Sequence, residues 1–183
     1  MQIIAETERL IIRELLPEDA TGMFKMDSDP AVHRYLGNDP VKDIEQIRNV
    51  IRFIRQQYVD NSIGRWAVIE KESGEFIGWT GLKLMRETVN NHTNYYDFGY
   101  RFVKSSWGKG YATETAAPSL QYGFDVLQAD AIYAMADEGN TASRRVLQKA
   151  GLQFIEMFDY EDTQHAWYKI TRDEFIKQEY KTQ

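Results

Sequence analysis

The sequence has no cysteine, which excludes disulfides, zinc–thiolate centres and a cysteine nucleophile. Histidine is scarce too: His33, His92 and His165 share no metal-ligand spacing, so no metal is expected. No repeat, low-complexity tract or Pro/Ser-rich linker divides the 183 residues, and one domain over 1–183 is expected. No apolar run approaches membrane-spanning length, and Met1 to Arg13 carries Glu6, Glu8, Arg9 and Arg13 in place of a signal-type stretch. The expectations are a cytoplasmic protein with no membrane partner. Basic excess is also lacking: the formal net charge is −6 and the pI about 5.2. That argues against a nucleic-acid partner, which needs a basic face, and suits a cationic one, although an acidic surface also serves solubility.

Periodicity and turn chemistry give the elements. A strand-like run covers Arg9 to Glu14, and Pro17, Glu18 and Asp19 open a helix. Ile44, Ile47, Ile51, Ile54 and Tyr58 form one apolar stripe on a helix from about Val41 to Tyr58. Arg65–Glu70 and Phe76–Leu84 read as a hairpin, and the polar Arg86 to Asn94 as a loop with turn residues Asn90, Asn91 and Asn94. Then come a strand (Tyr95–Val103), a helix (Tyr111–Val126), a strand (Ala131–Ala136) and a helix (Thr141–Lys149) stopped by Gly151. Leu152–Tyr160 and His165–Ile170 make a second hairpin, and Thr171 with Glu174 forms a capping box for a last helix. The pattern is mixed α+β around one sheet.

The chemistry concentrates between Asp97 and Glu114. There a strand ends in a Gly-rich turn that opens a helix, presenting backbone N–H groups at a positive helix end. That is a cradle for a pyrophosphate. A P-loop is excluded, because Val103 stands where its first Gly belongs and Gly110 where Ser or Thr must follow Lys109. A dinucleotide fingerprint from Gly108 and Gly110 needs Gly or Ala at Thr113, and lies too far along the chain to open a Rossmann domain.

A third pattern fits. Trp107-Gly108-Lys109-Gly110-Tyr111-Ala112 resembles the pyrophosphate loop of the GNAT N-acetyltransferases. With Gly99-Tyr100 before it and Thr113-Glu114 after, it resembles the branch containing the ribosomal-protein N-terminal acetyltransferases. A second block, Asn140-Thr141-Ala142-Ser143 through Lys149-Ala150-Gly151-Leu152, is similar to that branch's Asn-x-x-Ser helix and Lys-x-Gly-hydrophobic turn. Glu8 to Glu14 and Phe76-Ile77-Gly78 also fit, so the resemblance spans nearly the whole chain.

The resemblance implies a single α/β domain whose mixed, largely antiparallel sheet, flanked by helices, splays around acetyl-CoA as co-substrate. Phe102 and Val103 would pair through their backbone with the pantetheine arm. Trp107, Gly108, Lys109, Gly110, Tyr111 and Ala112 would hold the pyrophosphate. Asn140 and Ser143 would face the arm near the thioester, and Arg144 would reach a CoA phosphate or lie in solvent. Asp97 stands where many relatives place a base acting through water, with Glu161 next in line. Leu147 stands where many place a Tyr that protonates the departing thiolate, which leaves Ser143, one turn earlier, as donor or as a helix cap. Glu114 serves either the helix dipole or catalysis. Tyr35, Trp66, Trp79 and Trp167 are candidates to line an acceptor pocket or to fill the core. The implied reaction is acetyl transfer to a primary amine, on a protein N-terminus or a small molecule, and a homodimer is a common assembly. The alternative is a CoA-binding regulatory module without catalysis.

Overall fold

The computed structural model of the chain describes residues 2–182. Two compact units emerge, one taking the chain up to Gly81 together with Gly99–Thr115, the other Leu82–Phe98 and the chain from Ala116 on.

In the first unit, β1 (Ile3–Glu6) and β2 (Leu10–Glu14) form an antiparallel hairpin with Ala5 opposite Ile12. Alternation sets the faces of β2: Leu10 and Ile12 are buried, while Ile11 and Arg13 lie on the other side. Pro17–Asp19 is a 3-10 turn, and Asp19 does more there than favour a helix start. Its two carboxylate oxygens accept from the Arg13 guanidinium at 2.7 and 2.8 Å, and one also accepts from the Leu16 amide at 2.8 Å. Then follow α1 (Ala20–Asp27), the single turn α2 (Pro30–His33) and α3 (Ile44–Asn61). α3 begins at Ile44 rather than at Val41 because Asp43 caps it. The Asp43 carboxylate accepts from the Glu45 amide at 3.0 Å, and Gln46 reaches back to the Asp43 amide at 3.3 Å.

β3 (Trp66–Glu70) pairs antiparallel with β2 and with β4 (Phe76–Met85), placing Val68 between Ile12 and Gly78. Leu10, Leu15, Met23, Met26, Ile47, Ile51, Ile54 and Val68 build the core of this unit, joined by Phe102 and Val103 at the end of β5 (Tyr95–Phe102).

In the second unit, the start of β5 runs parallel to β6 (Ala131–Asp137), with Tyr96 opposite Ile132 and Asp97 opposite Tyr133. The expected last hairpin is present as β7 (Gln153–Tyr160) and β8 (Thr163–Thr171), with β8 also antiparallel to β6. α4 (Tyr111–Asp125), α5 (Thr141–Lys149) and α6 (Arg172–Thr182) supply the helices. The alternation of β6 buries Ile132, Ala134 and Ala136 on one face. Its other face carries Tyr133 and Met135, which pack on Val89, Tyr95 and Trp167. Gly151 stops α5 with a left-handed backbone (φ 93°), and Glu174 caps α6 by accepting from the Thr171 amide and hydroxyl, both at 2.8 Å.

Two aromatic candidates fall in the core rather than in a cavity wall: Trp66 is 2% exposed and Trp167 1%. Trp79 is half-buried, with the guanidinium carbons of Arg65 and Arg101 5.3 and 5.2 Å from its ring, and Tyr35 lies under Arg34.

Candidate acetyl-coenzyme A site

The Gly-rich turn is built from the end of β5 onward. A 3-10 turn over Lys104–Ser106 leads to Trp107, whose indole N–H donates to the Phe102 carbonyl at 2.9 Å. That bond folds the turn back on its own strand, and explains a tryptophan at a position that is 49% exposed. Gly108 (φ 75°) and Gly110 (φ 85°) then adopt the left-handed conformation that L side chains resist. A methyl at Gly108 would touch no other residue within 4 Å, and one at Gly110 only Arg9 Nη2, at 3.6 Å. The first ladder bond of α4 runs from the Glu114 amide to the Gly110 carbonyl at 3.0 Å. The amides of Tyr111, Ala112 and Thr113 therefore precede the helix's own ladder and are available to an anion.

Residues brought in from the start of the chain hold this helix end. Glu114 accepts from Arg9 Nε at 2.8 Å, from Arg9 Nη2 at 2.5 Å and from the Thr7 hydroxyl at 2.5 Å. Arg9 also lies over the Tyr111 ring, 4.4 Å from its centroid, with Lys109 Nζ 5.8 Å from the same centroid. The Tyr111 hydroxyl donates to Glu70 Oε1 at 2.5 Å, and that bond holds the Glu70 carboxyl below the usual carboxylate range. The sequence left Glu114 between the helix dipole and catalysis and gave no sign of its partners Thr7 and Arg9, nor of Glu70 on the Tyr111 hydroxyl.

Backbone alternation divides the two residues expected to meet the pantetheine arm. The Val103 amide donates to the Ile77 carbonyl on β4 at 2.9 Å, and the Val103 carbonyl accepts from Ser106 at 2.9 Å. The Phe102 amide lies on the opposite edge of the strand. Of the two, Phe102 faces that edge, where its carbonyl already accepts from the Trp107 indole.

The second unit holds the other candidates. Asn140 caps α5, its Oδ1 accepting from the Ser143 amide at 3.1 Å. Ser143 is thus the third residue inside the helix and not its cap. Arg144 is not simply solvated: its Nε donates to the Tyr168 hydroxyl and its Nη1 to the Glu138 carbonyl, both at 3.3 Å. Leu147 is buried. Asp97 is 9% exposed, whereas Glu161 sits at the exposed tip of the β7–β8 hairpin with a left-handed backbone (φ 47°). Among the described residues no group of three or more His, Asp or Glu could hold a metal ion.

A family model for the acetyltransferase (GNAT) domain matches residues 9–153. The chain belongs to the GNAT acetyltransferases. It is 31% identical over 175 residues to the uncharacterized N-acetyltransferase p20 of Bacillus licheniformis, covering 95% of this chain and 96% of that one. A GNAT-family acetyltransferase structure from Bacillus anthracis superposes with a TM-score of 0.76 at 25% identity, covering 94% and 99%. The spermidine N-acetyltransferase of Vibrio cholerae, solved with CoA and spermine, shares the fold with a TM-score of 0.73 at 15% identity, covering 93% and 99%. This GNAT protein is an acetyl-CoA-dependent N-acetyltransferase with an α/β fold, its mixed, mostly antiparallel sheet flanked by helices. No helix among the described residues is long and apolar enough to cross a membrane.

The cradle of this GNAT fold has a pH-dependent fastening. Burial pushes the Glu114 carboxyl up, but hydrogen bonds from Thr7 and Arg9 overcome that and hold it below its ordinary 4.5. A carboxyl lowered on folding contributes stability above its unfolded value and loses it as pH falls through the folded value. Glu114→Gln should therefore melt earlier than wild type near neutrality, with the gap closing as the pH falls below 4.5 and through the lower folded value. Thermal unfolding of both proteins across that range checks it; a constant gap would remove Glu114 from the acid response.

Proposed function

We propose that this GNAT enzyme transfers the acetyl group of acetyl-CoA to a primary amine, either a protein N-terminal α-amine or a small-molecule amine. The observation that carries the reading is the Trp107–Ala112 turn, with two left-handed glycines and helix-start amides ahead of the α4 ladder. In this reading the amides of Gly108, Lys109, Gly110, Tyr111 and Ala112 hold the pyrophosphate, with Trp107 bracing the turn. Phe102, with Val103 behind it, lines the pantetheine arm, and Asn140, Ser143 and Arg144 serve the thioester end and a CoA phosphate. The whole chain acts as one catalytic domain in the cytoplasm, singly or as a homodimer.

The amine arrives as an ammonium and loses a proton before attack, through water, to Asp97. Its nitrogen adds to the thioester carbonyl, forming a tetrahedral oxyanion on a carbon bonded to a positively charged nitrogen. The C–S bond then breaks to release CoA thiolate, and the nitrogen's surplus proton passes to the sulfur, leaving a neutral amide and thiol. No bond to the protein forms, which accords with a chain lacking cysteine. Positioning and backbone N–H stabilisation of the oxyanion supply most of the acceleration. The experiment is a thiol-release assay against a panel of amines and N-terminal peptides, with mass spectrometry of the products. Release that no amine accelerates, despite tight CoA binding, would favour a regulatory CoA-binding module. The apolar Leu147 in place of a proton-donating Tyr is the observation on that side.

The thiolate needs a proton, and Ser143 lies one turn before Leu147 on the same helix face. Because Asn140 is the cap, the two roles separate by mutation. Asn140→Ala should lower stability by about 1 kcal/mol. Ser143→Ala should lower kcat by ~10-fold, about 1.4 kcal/mol of barrier, while acetyl-CoA binding and melting stay near wild type. Calorimetric binding with steady-state kinetics reads both. A normal kcat in Ser143→Ala would leave protonation of the thiolate to water.

A further inference from the structure

The flank of α3 carries charge of the sign that this chain has in deficit. Arg48, Arg52 and Arg55 recur at intervals of four and three residues, so they form one stripe beside the buried Ile47, Ile51 and Ile54. The stripe extends roughly 10 Å along the helix axis. Together with Pro17 and Val59 the three arginines line a groove of about 560 Å³ between α3 and the turn that precedes α1. A cavity of that size lies in the range of ligand sites.

What holds the arginines is local and exchangeable. Arg48 pairs with Glu45 and Arg52 donates to the Asn49 side chain, each three residues back on the same helix. Arg55 Nη1 donates to the Leu15 carbonyl at 2.6 Å, which fixes its base in the groove. Among the described residues, Arg52 and Arg55 make no ion pair. The pair that Arg48 makes is exposed on both sides, 50% and 56%, and a surface pair of that kind contributes little. Guanidiniums with one exposed carboxylate between them stand out on a chain whose net charge is −6.

These features select an occupant. No single carboxylate or phosphate spans roughly 10 Å, so the ligand carries anionic groups at intervals. An extended peptide repeats its side chains on one face about every 6.7 Å, close to the rise of about 6 Å from Arg48 to Arg52. Acidic residues at alternate positions would therefore meet successive guanidiniums, whose forked N–H groups suit a carboxylate. Val59 continues the stripe one turn beyond Arg55 and is 76% exposed, an apolar end against which an apolar residue closing the acidic run would pack. Nucleic acid fits less well, since no aromatic ring lines the groove for a base to stack on.

We propose that this groove docks an acidic peptide segment of a partner protein, its carboxylates read by Arg48, Arg52 and Arg55 and an apolar residue seated on Val59. Docking involves no acetyl transfer, so it stands or falls separately from the reaction at the Gly-rich turn.

The test is fluorescence anisotropy of the full chain with a dye-labelled peptide of three alternate glutamates and a leucine at each end. Its N-terminus is acetylated, so it offers no amine to acetylate. Binding should be at least ~10-fold tighter than for the same peptide with glutamines, and should weaken with added salt. Arg48→Gln combined with Arg52→Gln should weaken it ~10-fold, and Arg55→Lys ~3-fold, because an ammonium lacks the fork. Val59→Ser should cost ~3-fold. Lys177→Gln, an exposed charge on α6, should change nothing. Melting curves confirm that each variant is folded. Equal affinity for the glutamate and glutamine peptides, or wild-type affinity in the folded double arginine variant, overturns the proposal. Citrate or an oligouridylate bound as tightly as the peptide overturns it too, by assigning the groove to small anions or to nucleic acid.

Discussion

Gly110→Asp should weaken acetyl-CoA binding by at least ~10-fold, about 1.4 kcal/mol, with fold retained. Two costs act together. The left-handed backbone at Gly110 (φ 85°) strains any side chain with a Cβ, by roughly 1–2 kcal/mol. The new carboxylate would also project beside Arg9 Nη2, 3.6 Å from the Cβ position, neutralising a cation next to the turn while repelling the pyrophosphate. Gly110→Asn separates the two, because asparagine tolerates this backbone conformation and carries no charge. The order of affinity should be wild type, then Asn, then Asp, with the last step steepening at low salt. Calorimetry at two ionic strengths measures it, and equal affinity in all three folded proteins would put the co-substrate elsewhere.

Asp97→Asn should lower kcat by ~100-fold or more, the lower range for losing a general base. The swap keeps size but turns one acceptor oxygen into a donor at a position only 9% exposed, so thermal melting is measured beside the kinetics to separate lost stability from lost catalysis. The pH dependence is the sharper measurement. Where kcat/KM rises with pH because a protein group must first lose its proton, the mutant profile should lose that limb and keep the one belonging to the amine. An unchanged rate and profile would exonerate Asp97. Glu161 is poorly placed to inherit the role, on an exposed hairpin tip.

The parts of this molecule legible in the sequence are those whose cause is local. A glycine pair between strand and helix, and Thr171 with Glu174, each act within a few residues, so spacing alone carried them. Elements too short to show a period escaped: β1 has four residues, and α2 is one turn behind the Asp29 cap. Asp29-Pro30 was the available signal, a cap residue followed by proline at the first helical position. Trp66 and Trp167 could not be sorted between cavity and core from residue type, because an indole serves both and its neighbours arrive from distant strands. The same holds for Ser143, whose place inside the helix depends on Asn140 having taken the cap.

The clamp of Thr7 and Arg9 on Glu114 at the start of α4 also orders events during synthesis. Thr7 and Arg9 are translated more than a hundred residues before Glu114, the separation from Arg9 being 105. Until the ribosome has released the first turn of α4, the Glu114 carboxylate that receives that guanidinium does not exist. Joining them closes a long loop, and the entropy of that closure opposes a distant contact until packing around it compensates. The turn that opens α4 therefore gains its anchor to the start of the chain only once Glu114 has been made, well after the residues that hold it.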